Sequence, residues 1–331
     1  MTVKEKVLTF LLGAEDKSLS GEEIAKALDV TRSAVWKAIH SLQKDGYQIE
    51  GVRNKGYRLL ADSDKLSAAA IQSNLKEEKT KFVIQIYEEL PSTNQKLKEL
   101  ADKGAKEGTV VLAECQKEGR GQRGRVFYSP PKTGLYMSIL LRPSMEQTKA
   151  LLFTAAAAAA AALSIEEVVG VKTQIKWVND IFIDGKKVCG ILTEGSMSME
   201  SGEMDCLVVG IGINVYRPKE EFPGKLKNTA SAICKETGKN VRNILAAKVL
   251  ERFWRYYQNL DEKKFYEDYR ERLVVLGKEI LICKKDGQVK AKAVDLDDAC
   301  GLVVEREDGI KETLRGGEVR ILQGGDKEEN P

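Results

Sequence analysis

The chain has 331 residues, 42% of them hydrophobic and 31% charged, with a formal net charge of +3 at pH 7. That length supports two or three domains with separate cores, and the charge is too small to argue for a nucleic-acid partner by itself. Six cysteines, at 115, 189, 206, 234, 283 and 300, form no C-x-x-C pair and are joined by one histidine, His40, which excludes an ordinary zinc site. No apolar run of the ~18 residues needed to cross a bilayer is read, and MTVKEKVLTFLLGAEDKS lacks a signal-cleavage site, so a cytoplasmic protein is expected.

Residues 1–62 place apolar side chains at helical spacing in three short runs: Val3, Val7, Leu8 and Leu11, then Ile24, Ala25 and Leu28, then Val35, Ile39 and Leu42. Ser20-Gly-Glu-Glu23 is a capping-box pattern for the second helix, and LDVT at 28–31 breaks the chain before a third that opens at Thr31. The third helix carries Arg32, Ser33, Trp36, Lys37 and His40, either an ordinary solvated face or donors to phosphates and base edges. GYQIEGVRNKGYRLL then reads as a hairpin turning at Asn54-Lys55-Gly56, with Arg53, Lys55 and Arg58 near its tip. A basic wing behind a helix-turn-helix predicts a DNA-binding module, with protein docking as the competing reading.

From about Lys65 strands alternate with helices, which predicts an α/β domain. KFVIQIY is a strand, and Ser92-Thr93-Asn94 opens a helix, as plain caps or as donors to a small polar ligand. The strand GTVVLAECQ runs into KEGRGQRGR, which matches neither the Walker pattern nor G-x-G-x-x-G. It reads as a flexible basic flap over an anion, or as a basic surface loop. Ala155–Ala162 lie in a helix suited to close packing on a sheet. Lys176-Trp177-Val178-Asn179-Asp180 interrupts an apolar strand with an amide and a carboxylate, which serve a ligand or a turn. IFI-Asp184-Gly185-KKVCGIL is a hairpin that puts Lys186 and Lys187 on opposite faces, without deciding which faces a cleft. LVVGIGINV, 207–215, is a buried strand whose Gly210 and Gly212 imply close approach of a ligand or another backbone.

Taken in order, STN at 92–94, ECQKEGRGQRGR, KWVND at 176–180, KKVCGIL and GIGINV resemble the signature segments of biotin protein ligases. With the N-terminal module the chain is similar to the bifunctional type that is also the biotin operon repressor. The resemblance extends to 274–323, where VLGKEILICKKDGQVKAKAVDLDDACGLVVE is similar to that family's small C-terminal β domain. It implies an α/β (α+β) multi-domain chain: a winged helix-turn-helix at 1–62, a mixed-sheet catalytic domain at 65–273, an SH3-like β-barrel domain at 274–323 and a polar tail at 324–331.

The implied reaction joins biotin and ATP, with Mg2+ carried on the nucleotide and no protein metal cluster. It forms biotinyl-5′-AMP and passes biotin to a lysine of a biotin carboxyl carrier protein. The implied partners are that carrier and operator DNA, with a homodimer when adenylate is bound. By motif, Lys187 is the catalytic lysine. Ser92, Thr93, Asn94, Gln116, Arg120, Gly121, Gln122, Lys187 and Gly190 would hold biotin, and Arg123, Arg125, Lys176, Trp177, Asn179, Asp180 and Asn214 the adenylate or ATP. Val178 stands where the family usually has proline, Gln122 where arginine is frequent and Phe127 where tryptophan is common; Arg320 lies two places before the expected arginine. The alternatives are a DNA-binding sensor without transfer activity and a lipoate-type ligase.

Overall fold

The N-terminal helices are set by their caps. In the computed structural model α1 spans Val3–Leu12 and α2 Gly21–Leu28, each opened by a reciprocal capping box, Thr2 with Glu5 and Ser20 with Glu23. Asp29, in the left-handed conformation, ends α2, and Thr31 Oγ1 accepts from the Ala34 N–H at the mouth of α3, Arg32–Lys44. Strands β1, Ile49–Val52, and β2, Gly56–Leu59, form the wing. Gly56 has φ 99° and a Cβ there would lie 2.0 Å from the Leu19 carbonyl, so only glycine lets the wing pack against the chain entering α2. Val7, Leu11, Ile24, Val35, Ile39 and Leu42 close a core of their own.

The structure describes residues 2–14, 17–44, 46–52, 55–60, 64–77, 81–143, 150–197, 204–236, 240–284 and 287–322. Arg53, expected on the wing, and the expected tail at 324–331 lie outside them.

After α4, Ala68–Asn74, come β3, Val83–Tyr87; α5, Thr93–Asp102; β4, Thr109–Ala113; β5, Gly134–Leu141; and α6, Ala150–Val169. They are followed by β6, Gln174–Lys176; β7, Asp180–Ile183; β8, Lys186–Met197; β9, Met204–Asn214; α7, Leu226–Thr229; α8, Val241–Gln258; and α9, Tyr266–Arg270. Seven strands form one mixed sheet in the order β3-β4-β5-β9-β8-β7-β6. Both faces are covered, so β4 and β5 read as continuous apolar runs whose alternate residues enter different cores. Val110, Leu112, Met137 and Ile139 pack with α6 and α8, while Val111, Ala113 and Leu140 pack with α5. Strand β5 has no counterpart in the sequence reading, because eight residues buried on both faces, with no apolar-polar alternation, carry no period.

Helix α6 corrects one expectation: at 20 residues it is long and apolar enough by composition to cross a membrane. Its eight consecutive alanines are all fully buried against the sheet, so it is a core helix.

Strands β10, Glu279–Lys284; β11, Gly287–Leu296; β12, Leu302–Arg306; β13, Lys311–Leu314; and β14, Glu318–Ile321, form an antiparallel sheet in the order β13-β12-β11-β10-β14. Its core is continuous with that of the central sheet, and the buried indole of Trp177 donates Nε1–H to the Cys300 carbonyl across the junction at 3.1 Å.

Candidate active site

Two cross-strand lanes build the floor of the site. Tyr136, Gly212 and Gly190 are register partners across β5, β9 and β8, and Ser138, Gly210 and Leu192 form the next lane. Above the glycines a cavity of about 300 Å³ opens. A Cβ on Gly210 would sit 2.2 Å from Asn94 Oδ1, and one on Gly212 would sit 2.7 Å from the Phe127 ring. The expected close approach at these glycines is therefore made by side chains, which they admit against the sheet.

The N-terminus of α5 enters this space. Ser92 is its N-cap by position but its side chain makes no capping hydrogen bond. Thr93 N–H and Oγ1 lie 2.8 and 3.1 Å from Gln116 Oε1, and Gln116 Nε2 donates to Ser129 Oγ at 2.9 Å. Asn94 Nδ2 donates to the Leu192 carbonyl at 3.2 Å and to Glu194 at 2.7 Å, while Lys98 holds the other Glu194 oxygen at 2.8 Å. Burial alone would raise the Glu194 carboxyl, but hydrogen bonds from Lys98 and Asn94 and the charges of Lys98 and Arg120 outweigh it and hold it below its ordinary value. A depressed folded-state value contributes stability above the unfolded value, lost as pH falls through the folded one. The melting-temperature gap between parent and Glu194→Gln should thus be open at neutral pH and close below about pH 4; a gap independent of pH would contradict the assignment.

The loop after β4 is a hairpin in this structure. Gly119 and Phe127 pair through Phe127 N–H to Gly119 O, and Gly121 N–H donates to Arg125 O at 2.7 Å around a 3₁₀ turn at Gln122–Gly124. A Cβ on Gly119 would meet the Phe127 carbonyl at 2.2 Å, which is why glycine is required there. Arg120 donates to Gln95 at 3.2 Å, and Arg125 is ion-paired with Glu318 at the start of β14, so the C-terminal sheet helps wall the cavity.

Residues 177–179 form the turn between β6 and β7, and the Trp177–Val178 peptide bond is cis. Asn179 Nδ2 donates to the Ile191 carbonyl at 2.9 Å, and Asp180 Oδ1 lies 2.7 Å from Lys187 Nζ. A bulge in the β7–β8 pairing, which brings Phe182 opposite Lys187 while Ile181 faces Cys189, turns Lys187 into the cavity and leaves Lys186 exposed.

Of the sequence-derived candidates, Ser92, Thr93, Asn94, Gln116, Arg120, Gly121, Gln122, Arg123, Arg125, Lys176, Trp177, Asn179, Asp180, Lys187 and Gly190 all line the cavity. Asn214 does not: it donates to the Ser231 carbonyl at 3.1 Å and braces the segment that pairs with Lys187. Ser129, Ser138, Glu194 and Glu318 were missed. A lone serine in GLYMSILL was the one available signal; the other three matter through partners distant in sequence.

On the N-terminal module Arg32, Ser33, Trp36, Lys37 and His40 share one exposed face of α3, with Lys55 exposed on the wing. Trp36 is 52% exposed and meets His40 edge to face at 4.3 Å, and His40 Nδ1 lies 2.8 Å from Gln43 Oε1.

A winged helix joined to a mixed-sheet domain, with cationic side chains and helix-start hydroxyls converging on one cavity, defines a DNA-linked protein of the ligase class. Residues 86–214 match the biotin/lipoate A/B protein ligase family, 3–58 an HTH domain and 275–322 the biotin protein ligase C-terminal domain. The chain is 36% identical over 317 residues to the bifunctional ligase/repressor BirA of Bacillus subtilis (strain 168), covering 94% of this chain and 96% of that one. It is 28% identical over 325 residues to the protein of that name from Escherichia coli (strain K12), covering 97% of each. The biotin protein ligase of Aquifex aeolicus, solved with biotin and ATP, superposes with a TM-score of 0.60 at 29% identity, over 72% of this chain and 99% of that one. The chain belongs to the biotin protein ligase family, in its bifunctional ligase/repressor branch.

Proposed function

We propose that the protein is an ATP-dependent biotin protein ligase that also represses transcription in response to biotin. The observation that carries this is the convergence of the STN, arginine-glycine, KWVND and KKVCGIL segments on one cavity. In the first step a biotin carboxylate oxygen attacks the α-phosphorus of ATP; the bond to the β-phosphate bridging oxygen breaks, giving biotinyl-5′-AMP and pyrophosphate. In the second, a neutral lysine amine of a biotin carboxyl carrier protein attacks the acyl carbon, forming an amide and releasing AMP and a proton.

Lys187, Arg123, Arg125 and Lys176 offset the repulsion between carboxylate and phosphates; Asn179 and Asp180 line the nucleotide side, and Asn214 acts from behind by bracing the Lys187 strand. Ser92, Thr93, Asn94 and Gln116 bind the biotin ring, while Arg120, Gly121, Gln122 and Gly190 cover the bound ligand. Mg2+ would arrive on the nucleotide and neutralise phosphate charge there. A reaction drawing on ATP and apo carrier protein is a cytoplasmic one.

In this reading residues 1–62 read DNA, 65–273 carry the chemistry and 274–323 support the nucleotide side. Arg32, Ser33, Trp36, Lys37, His40, Arg53 and Lys55 form the DNA contact, and biotinyl-5′-AMP favours a homodimer that sets two winged helices on a palindromic operator. Incubated with ATP, Mg2+, biotin and an apo carrier domain, the protein should raise the carrier mass by one biotinyl group; formation of tightly held adenylate without transfer would favour a sensor. Gel-shift affinity for the biotin operator should rise when biotin and ATP are added together, and an unchanged affinity would sink the corepressor role.

A further inference from the structure

The turn at 177–179 belongs to no strand, and its direction is set by contacts from three separate elements. The Trp177 indole donates to the Cys300 carbonyl at 3.1 Å. Asn179 clasps Ile191 on β8 from both sides, its carbonyl accepting the Ile191 N–H at 3.0 Å while its Nδ2 donates to the Ile191 carbonyl at 2.9 Å. Between these two residues the Val178 carbonyl accepts the hydroxyl of Tyr269 on α9 at 3.0 Å. Trp177 and Asn179 line the cavity, whereas Val178 is buried and faces away from it.

Tyr269 is fully buried, and that burial pushes its phenol well above the ordinary value, so the hydroxyl keeps its proton and remains a donor. Its helix is a fixed platform. Arg272, two residues beyond α9, pairs with Glu166 of α6 at 2.7 Å, and its carbonyl accepts the Ile175 N–H of β6 at 2.7 Å. Tyr256 of α8 donates to Asp268 on α9 at 2.6 Å. A buried carbonyl deprived of its donor carries its desolvation penalty in full, and turning the peptide toward water relieves it. The peptide that would turn joins Val178 to Asn179, so relief rotates Asn179 and, one residue on, Asp180, which lies 2.7 Å from Lys187.

We infer that Tyr269 is a positioning residue for adenylation: through the Val178 carbonyl it fixes the direction in which Asn179 and Asp180 meet the nucleotide, without itself reaching the cavity. The inference rests on the ligase reading above and adds to it a residue that no cavity lining reveals. Thr93 and Gln116, on the biotin side, hold each other and not this turn, so the effect belongs to ATP alone.

The test is Tyr269→Phe, which removes one oxygen and keeps the ring. With biotin saturating, kcat/KM for ATP in pyrophosphate release should fall about 10- to 100-fold, the scale on which a small misplacement remote from the chemistry acts. The calorimetric Kd for biotin should stay within about twofold of the parent, since uniform binding on the other side is untouched. Tyr256→Phe makes the same one-oxygen change where α9 meets α8 and does not reach the turn, so its ATP kinetics should stay within about threefold of the parent. If the two variants lose the ATP rate equally, loosening of α9 explains the loss and the hold on Val178 does not. A Tyr269→Phe protein that keeps the parental ATP kinetics, or weakens biotin as much as ATP, also overturns the inference, as does one that does not fold, since the hydroxyl would then serve the fold and not the aim of the turn. A parent that releases no pyrophosphate with biotin and ATP would sink the ligase reading itself.

Discussion

Replacing Lys187 by alanine should slow biotinyl-adenylate formation by about 100- to 1,000-fold, the usual cost of removing one preorganised group that stabilises developing charge. The side chain is aimed by the β7–β8 bulge and its ammonium is ion-paired with Asp180 at 2.7 Å. Bringing a carboxylate to a triphosphate joins two anions, and the Coulomb cost is highest in the transition state, where the new oxygen–phosphorus bond forms. Lysine contributes there more than in the separate binding of either substrate, so the loss should fall on kcat of pyrophosphate release more than on the KM for biotin. Lys187→Arg should retain part of the rate, since charge survives while the short reach does not. A Lys187→Ala protein that melts like the parent and still forms adenylate at the parental rate would remove the lysine from the mechanism.

Arg242→Met should destabilise the protein by about 3–5 kcal/mol, because it strands two buried carboxylates. Arg242 on α8 is 2% exposed and donates to Glu114 at 2.6 Å and to Asp64 at 3.2 Å, and its own backbone N–H also meets Asp64 at 3.0 Å. Tyr216 donates to the same Asp64 carboxylate, and Glu114 accepts the Leu66 N–H at 3.1 Å. The cluster ties the segment leading out of the winged helix to α8 and to the root of the arginine-glycine hairpin, two residues before Gln116. Arg242→Met should accordingly lower the urea midpoint and weaken biotin binding as well. Arg242→Lys should lose less, keeping the charge but not the fork. If the methionine variant unfolds within about 1 kcal/mol of the parent, a well-packed apolar side chain serves as well as the ion cluster.

Much of the site was legible because its parts are local. A serine, threonine and asparagine at a helix start, glycines where backbone must come close, and an Asp-Gly turn between apolar runs each state their own geometry within a few residues. Their order along the chain supported the family resemblance, and the structure brings all but Asn214 of those residues to one cavity wall. Ser138 and Glu318 stayed hidden for the opposite reason. Their partners are Asn94 and Arg125, 44 and 193 positions away, and no periodicity reports a pairing at that distance.

The sequence by itself determined the three helices of the N-terminal module with the capping box of the second, the basic wing, the buried alanine helix and the hairpin that carries Lys187, since propensity, capping and turn chemistry act over a few residues. Only the tertiary structure decided that Lys187 rather than Lys186 turns inward, that Glu318 closes one wall of the cavity, and that Ser138 lies within hydrogen-bond reach of Thr93 and Asn94. A bulge, a sheet edge from another part of the chain and a buried hydrogen-bond network depend on what packs against each residue, and that is fixed by long-range register.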